Sequence, residues 1–214
     1  MRYLILVVLL FAVCNLYAHP IPDSLFNVSS HKLYHENGEL ERIKLKGTAS
    51  IQDFPSTHWT WFRENGSLSH TVLAETYDWD GKIIPEGSTV FLDTTGTIDH
   101  FWLSKNTIID GVPCDGGWGK ITTSFHPNGK LKWVFLYVDA EIQGIPCRHG
   151  MFSPVTFHKN GTLKGCTSIK ETSINGITYP VFTVLEFDDD GELVNAEIKS
   201  WAARFSLDLL DLIF

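Results

Sequence analysis

The sequence predicts an all-β fold: an extended, twisted antiparallel sheet of about six consecutive β-hairpin repeats, with a short C-terminal helix. Three observations predict it: a turn motif that recurs six times, Gly-containing links between the copies, and a tail with helical periodicity. The chain has 214 residues, of which 43% are hydrophobic and 20% charged, a composition typical of globular proteins. Its formal charge of −8 argues against a nucleic-acid partner, because phosphate binding needs clustered Lys and Arg.

The first eighteen residues have the three-part pattern of a secretory signal peptide. A short basic start is followed by ten apolar residues at 4–13, and the segment ends in the small residue Ala18. We expect cleavage after Ala18, which would place the mature chain in the periplasm or outside the cell. A lipoprotein anchor on Cys14 is the less favoured alternative. No later segment has 18 continuous apolar residues, so no transmembrane helix is expected after removal of the signal.

The body of the chain, which we assign to one repeat domain at 19–200, repeats a single turn motif. Each copy has a large apolar residue, three spacers that end mostly in Asn or Asp, a Gly, any residue, and then Leu or Ile. The six turn glycines are Gly38, Gly66, Gly96, Gly129, Gly161 and Gly191. Asn-Gly and Asp-Gly supply the positive φ that tight β-turns require, so each copy predicts a hairpin.

The spacing also predicts the register of each hairpin. A three-residue loop with a Gly bulge, here Pro127-Asn128-Gly129, pairs Phe125 directly with Leu131. Only this loop makes the two recurrent apolar positions one cross-strand pair. Continued by simple alternation, the same register would place two more pairs on this face, Thr123 with Trp133 and Ile121 with Phe135.

Between the turns, Asp110 to Cys114 is echoed by Gln143 to Cys147 and by Asn175 to Tyr179. Gly and Pro in these segments predict links where one hairpin ends and the chain bends back into the next. The tail at 201–214 has no Gly or Pro and carries its apolar residues with helical spacing, which favours an amphipathic cap over a final strand.

The turn motif resembles the MORN-type repeat, in the variant found in bacterial antitoxin-like hairpin-repeat proteins. The resemblance is carried by Tyr34 to Leu40, Phe125 to Leu131 and Phe157 to Leu163. The period of about 30 residues is longer here, and the Gly-x-Gly of the standard repeat is missing. The resemblance implies an open hairpin array that serves in binding or scaffolding and needs no cofactor.

Two groups of residues are candidates for ligand sites. Tryptophans in the middle of the chain can form an exposed aromatic patch, because alternation puts Trp59 and Trp61 opposite the apolar Phe62. The binding candidates are Trp59, Trp61, Trp102 and Trp133. A weak calcium candidate follows the EF-hand spacing, although its flanks read as strands rather than helices; its members are Glu186, Asp188, Asp190 and Glu197.

Cysteine and histidine residues carry no clear catalytic pattern. Export would favour a disulfide, but repeat spacing puts Cys114 and Cys147 about 10 Å apart, and Cys166 is expected to face Pro154. His35, His126 and His158 occupy the same slot three residues before the turn Gly, where we expect exposed polar side chains.

These observations favour an exported, non-catalytic repeat protein that binds or scaffolds a protein or an envelope component. An immunity partner of a toxin is one concrete version of this hypothesis. One alternative is an envelope-polymer hydrolase with two carboxylates in a cleft. Another is an outer-membrane β-barrel, prompted by the terminal Phe214 and the hairpin content.

Overall fold

The protein is built from antiparallel strands in two packed layers. A computed structural model describes residues 29–117 and 121–198, with the side chains of 29 and 30 left aside. The predicted signal peptide at 1–18 and the predicted cap at 201–214 lie outside the described residues. Within the described residues the chain is all-β and contains no helix, which confirms the predicted fold class.

Twenty-one strands follow one another along the chain. They are β1 (Ser29–Tyr34), β2 (Leu40–Leu45), β3 (Ala49–Ile51), β4 (Phe54–Phe62), β5 (Leu68–Leu73), β6 (Tyr77–Trp79), β7 (Lys82–Ile84), β8 (Thr89–Leu92), β9 (Ile98–Trp102), β10 (Thr107–Ile109), β11 (Val112–Cys114), β12 (Thr122–Phe125), β13 (Leu131–Val134), β14 (Ala140–Ile142), β15 (Ile145–Cys147), β16 (Val155–Phe157), β17 (Leu163–Thr167), β18 (Thr172–Ile174), β19 (Ile177–Tyr179), β20 (Thr183–Phe187) and β21 (Leu193–Ile198).

Six of the hairpins join into one large sheet. Its strand order is β1-β2-β4-β5-β8-β9-β12-β13-β16-β17-β20-β21, and β3 pairs with β4 beside this path. Consecutive hairpins are therefore neighbours in the sheet, as the repeat predicted. The remaining strands form four two-stranded hairpins, which we call the minor hairpins.

The predicted three-residue loop is present in all six copies. In the fourth copy the His126 amide donates to the Lys130 carbonyl and the Gly129 amide to the His126 carbonyl, both at 2.8 Å, and Phe125 pairs with Leu131. The six turn glycines have φ between +78° and +89°. A side chain is strained in this region, which explains the recurrent Gly.

The register beyond the turn differs from the alternation that the sequence suggested. Trp133 pairs with Ser124, not with Thr123, so the expected pairing of Thr123 with Trp133, and with it that of Ile121 with Phe135, is wrong. The reason is a second β-bulge at Lys132, which reverses the alternation of faces after Leu131. A register shift occurs at the same place in every copy. The extra residues are Glu41, Ser69, Asp99, Lys132, Lys164 and Val194.

The segments predicted to be links are themselves hairpins. Asp110-Gly111 joins β10 to β11 and Gln143-Gly144 joins β14 to β15, each with positive φ at both residues, as in a type I′ turn. β3 and the start of β4 form a hairpin of the same kind around Gln52-Asp53. The sequence signal for these hairpins is a two-residue turn flanked by apolar residues. The Pro residues that follow suggested a bend instead of a strand.

The minor hairpins cover one face of the large sheet, and the core lies between the two layers. Trp79 of β6 contacts Phe101 and Phe125 of the large sheet, with ring centroids 5.7 and 4.7 Å apart. Ile84, Ile109 and Ile142 of the minor hairpins are buried in the same cluster. We call the covered face of the large sheet the inner face and the opposite one the outer face.

Side chains at the turns join each hairpin to the next. In three copies the His before the turn bonds the carbonyl of the apolar residue that ends the first strand of the following hairpin. The Nε2–O distances are 3.0 Å for His35 to Phe62, 3.0 Å for His126 to Phe157 and 2.8 Å for His158 to Phe187. Arg63 donates to the corresponding carbonyl of Leu92. These histidines are half-buried and serve a structural role, where we expected exposed residues. At the junction of the third and fourth copies the slot holds Asp93, which instead accepts bonds within its own turn.

Candidate functional site

The outer face carries a row of side chains that crosses the sheet from strand to strand. Each bulge turns the second residue after the apolar position outward, and that residue pairs across the strands with the residue that precedes the apolar position of a turn. In the central strands the row reads Arg42, Trp61, His70, Phe91, His100, Ser124 and Trp133. The bulges therefore gather aromatic residues that are far apart in sequence.

Four rings in this row form a continuous stack, which we call the central ring stack. Trp61, His70, Phe91 and His100 stack in this order, with centroids 4.2, 4.8 and 4.2 Å apart and interplanar angles of 16°, 21° and 12°. Their centroid spacing approximates the spacing of adjacent strands. The rings consequently stand upright on the sheet and press their faces against one another, leaving their edges toward solvent.

Three further tryptophans extend the stack into the outer aromatic face. Trp59 lies 6.0 Å from Trp61, and Trp102 lies 4.3 Å from Phe91, between ring centroids. Trp133 lies across Ser124 from His100. All four tryptophans named from the sequence thus lie on one face and are half-buried. Sequence reasoning missed His70, Phe91 and His100, because His70 and His100 follow a bulge and their alignment with Phe91 depends on the pairing of strands from different copies.

The electrostatics of the stack favour a neutral His70. Burial lowers the pKa of His70 to about 4, and the nearby positive charges of Arg63 and His100 act in the same direction. Asp99 accepts a 2.7 Å bond from Nδ1 of His100. A neutral His70 can lie between Trp61 and Phe91 without a desolvated charge.

The residues of the calcium candidate lie on the last hairpin. Glu186 is in β20 and Glu197 in β21, and the Asp188 carboxylate accepts the amides of Asp190 and Glu192 at 3.1 and 2.8 Å. The geometry is that of a capped β-turn rather than the helix–loop–helix of an EF-hand. Among the described residues, no group of three or more His, Cys, Asp or Glu could hold a metal ion.

The cysteines at 114, 147 and 166 are buried free thiols. The neighbouring Cys166 thiol, together with burial, raises the pKa of Cys147, so the expectation that Cys166 faces Pro154 is wrong. The bulge at Lys164 turns Cys166 to the inner face, where the minor hairpin brings Cys147. Burial also raises the pKa of Cys114 to about 12, so all three positions lack the electropositive, accessible setting of a reactive cysteine.

The Asp139 carboxylate caps a loop of the framework. Asp139 accepts bonds from the backbone amide and from Nδ1 of His149, both at 2.7 Å, and Asn106 holds the Gly116 amide in the same way one copy earlier. The Asp139–His149 pair is thus explained as a loop cap that recurs with the repeat. The hydrolase alternative stays a prediction.

Comparison of the chain with models of protein families and with curated proteins finds no match in either. In the part of the chain that the structure describes, no helix has the length and apolarity needed to cross a membrane. The outer aromatic face is therefore interpreted from its own geometry, and the MORN-type resemblance stays a hypothesis.

Proposed function

We propose that the chain is an exported, non-catalytic repeat protein that binds a protein partner through its outer aromatic face. The observation that carries this proposal is the cluster of seven aromatic and imidazole rings on the outer face, which no minor hairpin of the described residues covers. Partly exposed Trp and Phe residues grouped in this way are typical of the energetic centres of protein interfaces. Rigid, mutually packed rings also lose little conformational entropy on binding.

A protein surface fits the ring geometry better than a sugar polymer does. Sugar rings bind by lying flat on aromatic faces, and in the central ring stack the faces of His70 and Phe91 are already covered on both sides by neighbouring rings. Their outward edges suit contact with apolar side chains and with backbone carbonyls, which approach the positive edges of aromatic rings.

Charge on this face points to an acidic partner. Arg42 lies with its guanidinium carbon 5.5 Å from the centre of the Trp59 ring, and Lys44 pairs with Trp59 across the strands. The Glu41 carboxylate lies 3.9 Å from the Arg42 Nε, so this corner carries two cations beside one carboxylate, in contrast to the net charge of −8. Carboxylates on a partner would be steered to the corner and then held beside the rings.

The antitoxin-like resemblance suggests one concrete version, in which the partner is a toxin that the chain occludes. Co-purification of a protein encoded by a neighbouring reading frame would support this version. A generic scaffold would instead retain an envelope protein that is encoded elsewhere.

Photo-crosslinking tests the proposal. Benzoylphenylalanine is introduced in cells at Phe91, in the middle of the ring stack, or at Ile177, an exposed residue of a minor hairpin that is 58% accessible. We expect a protein crosslink from position 91 that is absent from position 177. Equal crosslinking from both positions, no crosslink from position 91, or a crosslink only to glycan would contradict the proposal.

A further inference from the structure

Two glutamines in two-residue turns, Gln143 between β14 and β15 and Gln52 between β3 and β4, bind the backbone of the neighbouring large-sheet turns. Gln143 donates from Nε2 to the Gly161 carbonyl at 2.9 Å and accepts the Leu163 amide on Oε1 at 2.9 Å. Gln52 makes the same pair of bonds to Gly66 and Leu68, at 3.1 and 2.9 Å. A turn of this kind thus presents one carbonyl and one amide that a primary carboxamide satisfies together.

The equivalent position next to the Gly129 turn holds Asp110 and makes neither bond. Its carboxylate has no N–H to give the Gly129 carbonyl, and it lies instead 3.6 Å from the Lys82 ammonium. Asn175 occupies the same position in the last copy, and its shorter amide bonds the Glu192 side chain at 3.3 Å rather than the turn backbone. Reaching both backbone groups therefore requires the length of a Gln side chain.

A cavity of about 560 Å³ lies at the Gly129 turn, one of the turns whose neighbouring residue is not a glutamine. Asp110, Gly129 and Leu131 line it, and Gln143 and Gly161 of the next copy form its far wall. Among the described residues, no side chain bonds the Gly129 carbonyl or the Leu131 amide, in contrast to their counterparts in the second and fifth copies. The cavity thus combines open volume with a backbone carbonyl and a backbone amide that a primary carboxamide binds in the neighbouring copy.

The charges around the cavity favour a neutral or cationic ligand. Asp80, Asp110 and Glu141 line it, and of these Asp110 is paired with Lys82. Lys82 and Lys130 also line the cavity, but the Lys82 ammonium faces Asp110 and the Lys130 ammonium donates to the Asn160 carbonyl at 2.6 Å. A carboxylate ligand would meet the acidic groups and could not donate to the Gly129 carbonyl.

We propose that this cavity is a binding site for a primary carboxamide, carried on a neutral or cationic molecule. The ligand's N–H bonds the Gly129 carbonyl and its oxygen accepts the Leu131 amide, as Gln143 does for the neighbouring turn. The site is separate from the outer aromatic face, and the inference does not depend on the proposed function.

The test follows the Leu131 amide by NMR during titration with two probes. Propionamide represents the bare group, and the peptide acetyl-Lys-Gln-Lys-N-methylamide represents a glutamine side chain. N,N-dimethylpropionamide and the Glu peptide serve as controls, because neither can donate to the Gly129 carbonyl. We expect a saturable shift of the Leu131 amide signal with at least one probe. The matching control should bind about tenfold more weakly, because it cannot donate the hydrogen bond to the Gly129 carbonyl.

Substitutions at Asp110 supply the second arm. Asp110→Gln should fill the site with the chain's own amide, abolish probe binding and raise Tm by about 2–4 °C through the added hydrogen bonds. Asp110→Asn removes the same charge, but the Asn side chain is too short to reach the backbone of the Gly129 turn, so this variant should still bind the probe. Binding of the peptide alone assigns the site to glutamine side chains, and binding of both probes assigns it to the amide group. No saturable shift with either probe, or unchanged binding in Asp110→Gln, would overturn the inference.

Discussion

Replacing His126 with Ala should weaken the junction between the fourth and fifth copies. The variant removes the 3.0 Å bond from the His126 Nε2 to the Phe157 carbonyl. The net loss should be about 1 kcal/mol, because the site is half-buried and water can partly replace the donor. Asn128 and Lys130 still bond the next turn at 2.7 and 2.6 Å, so the sheet should remain intact. In a chain of this size Tm should fall by about 2–4 °C.

Urea unfolding measures this change, and native-state hydrogen exchange locates it at the amides around 126 and 158. His126→Arg is the matched variant, because Arg63 makes the corresponding bond in the second copy. It should recover most of the lost stability. Equal losses in the Ala and Arg variants, or no loss in the Ala variant, would refute the reasoning that these side chains join consecutive hairpins.

Three further predictions concern titration, backbone strain and thiol reactivity. Because the pKa of His70 is lowered to about 4 in the folded state, the unfolded chain takes up its proton first, and stability should fall as the pH drops from about 6.5 to about 4. Solvent screening reduces this loss to about 1–2 kcal/mol, and His70→Phe should abolish it in urea titrations across that range. Gly129→Ala should lower the free energy of unfolding by about 1 kcal/mol because of its φ of +78° alone, since the new Cβ meets Trp79 only at 3.8 Å. Gly47→Ala should leave stability unchanged, because Gly47 has no positive φ and no atom within 4 Å of the new Cβ. Equal effects of the two variants in urea unfolding would contradict the turn geometry. Burial raises the pKa of Cys114 to about 12, so a disulfide reagent should modify this thiol only after the protein unfolds. The double variant Cys147→Ala, Cys166→Ala isolates Cys114 for this measurement, and rapid labelling of the folded variant would disprove the burial of Cys114.

Sequence reasoning predicted the large sheet because its signal is local. A Gly with positive φ, an apolar residue four positions before it and another two positions after it define one hairpin, as in Phe125 to Leu131. The bulge at Lys132 has no such signature: several residue types, among them Glu41, Ser69 and Val194, occupy the extra position. Strict alternation therefore assigned Trp133 to the wrong face. The extra residue stands three positions after the turn Gly in every copy, so its place follows the turn and not its own residue type.

The candidate site was predictable only in part for the same reason. Trp59 and Trp61 precede the turn of their hairpin, so alternation from Phe62 placed them on the outer face correctly. His70 and His100 follow a bulge, and their stacking on Phe91 depends on strands that the sequence does not align. The bonds of Gln52 and Gln143 could not be predicted either, because they depend on the two-residue turns lying beside the large-sheet turns.

The central claim is that a bulge after each turn brings Trp61, His70, Phe91 and His100 into one stacked row on the outer face. Nuclear Overhauser effects between ring protons test it most directly. We predict that the His70 ring contacts both Trp61 and Phe91 and that backbone contacts join Ser124 to Trp133. Backbone contacts joining Thr123 to Trp133, with no contact between the rings of His70 and Phe91, would contradict it.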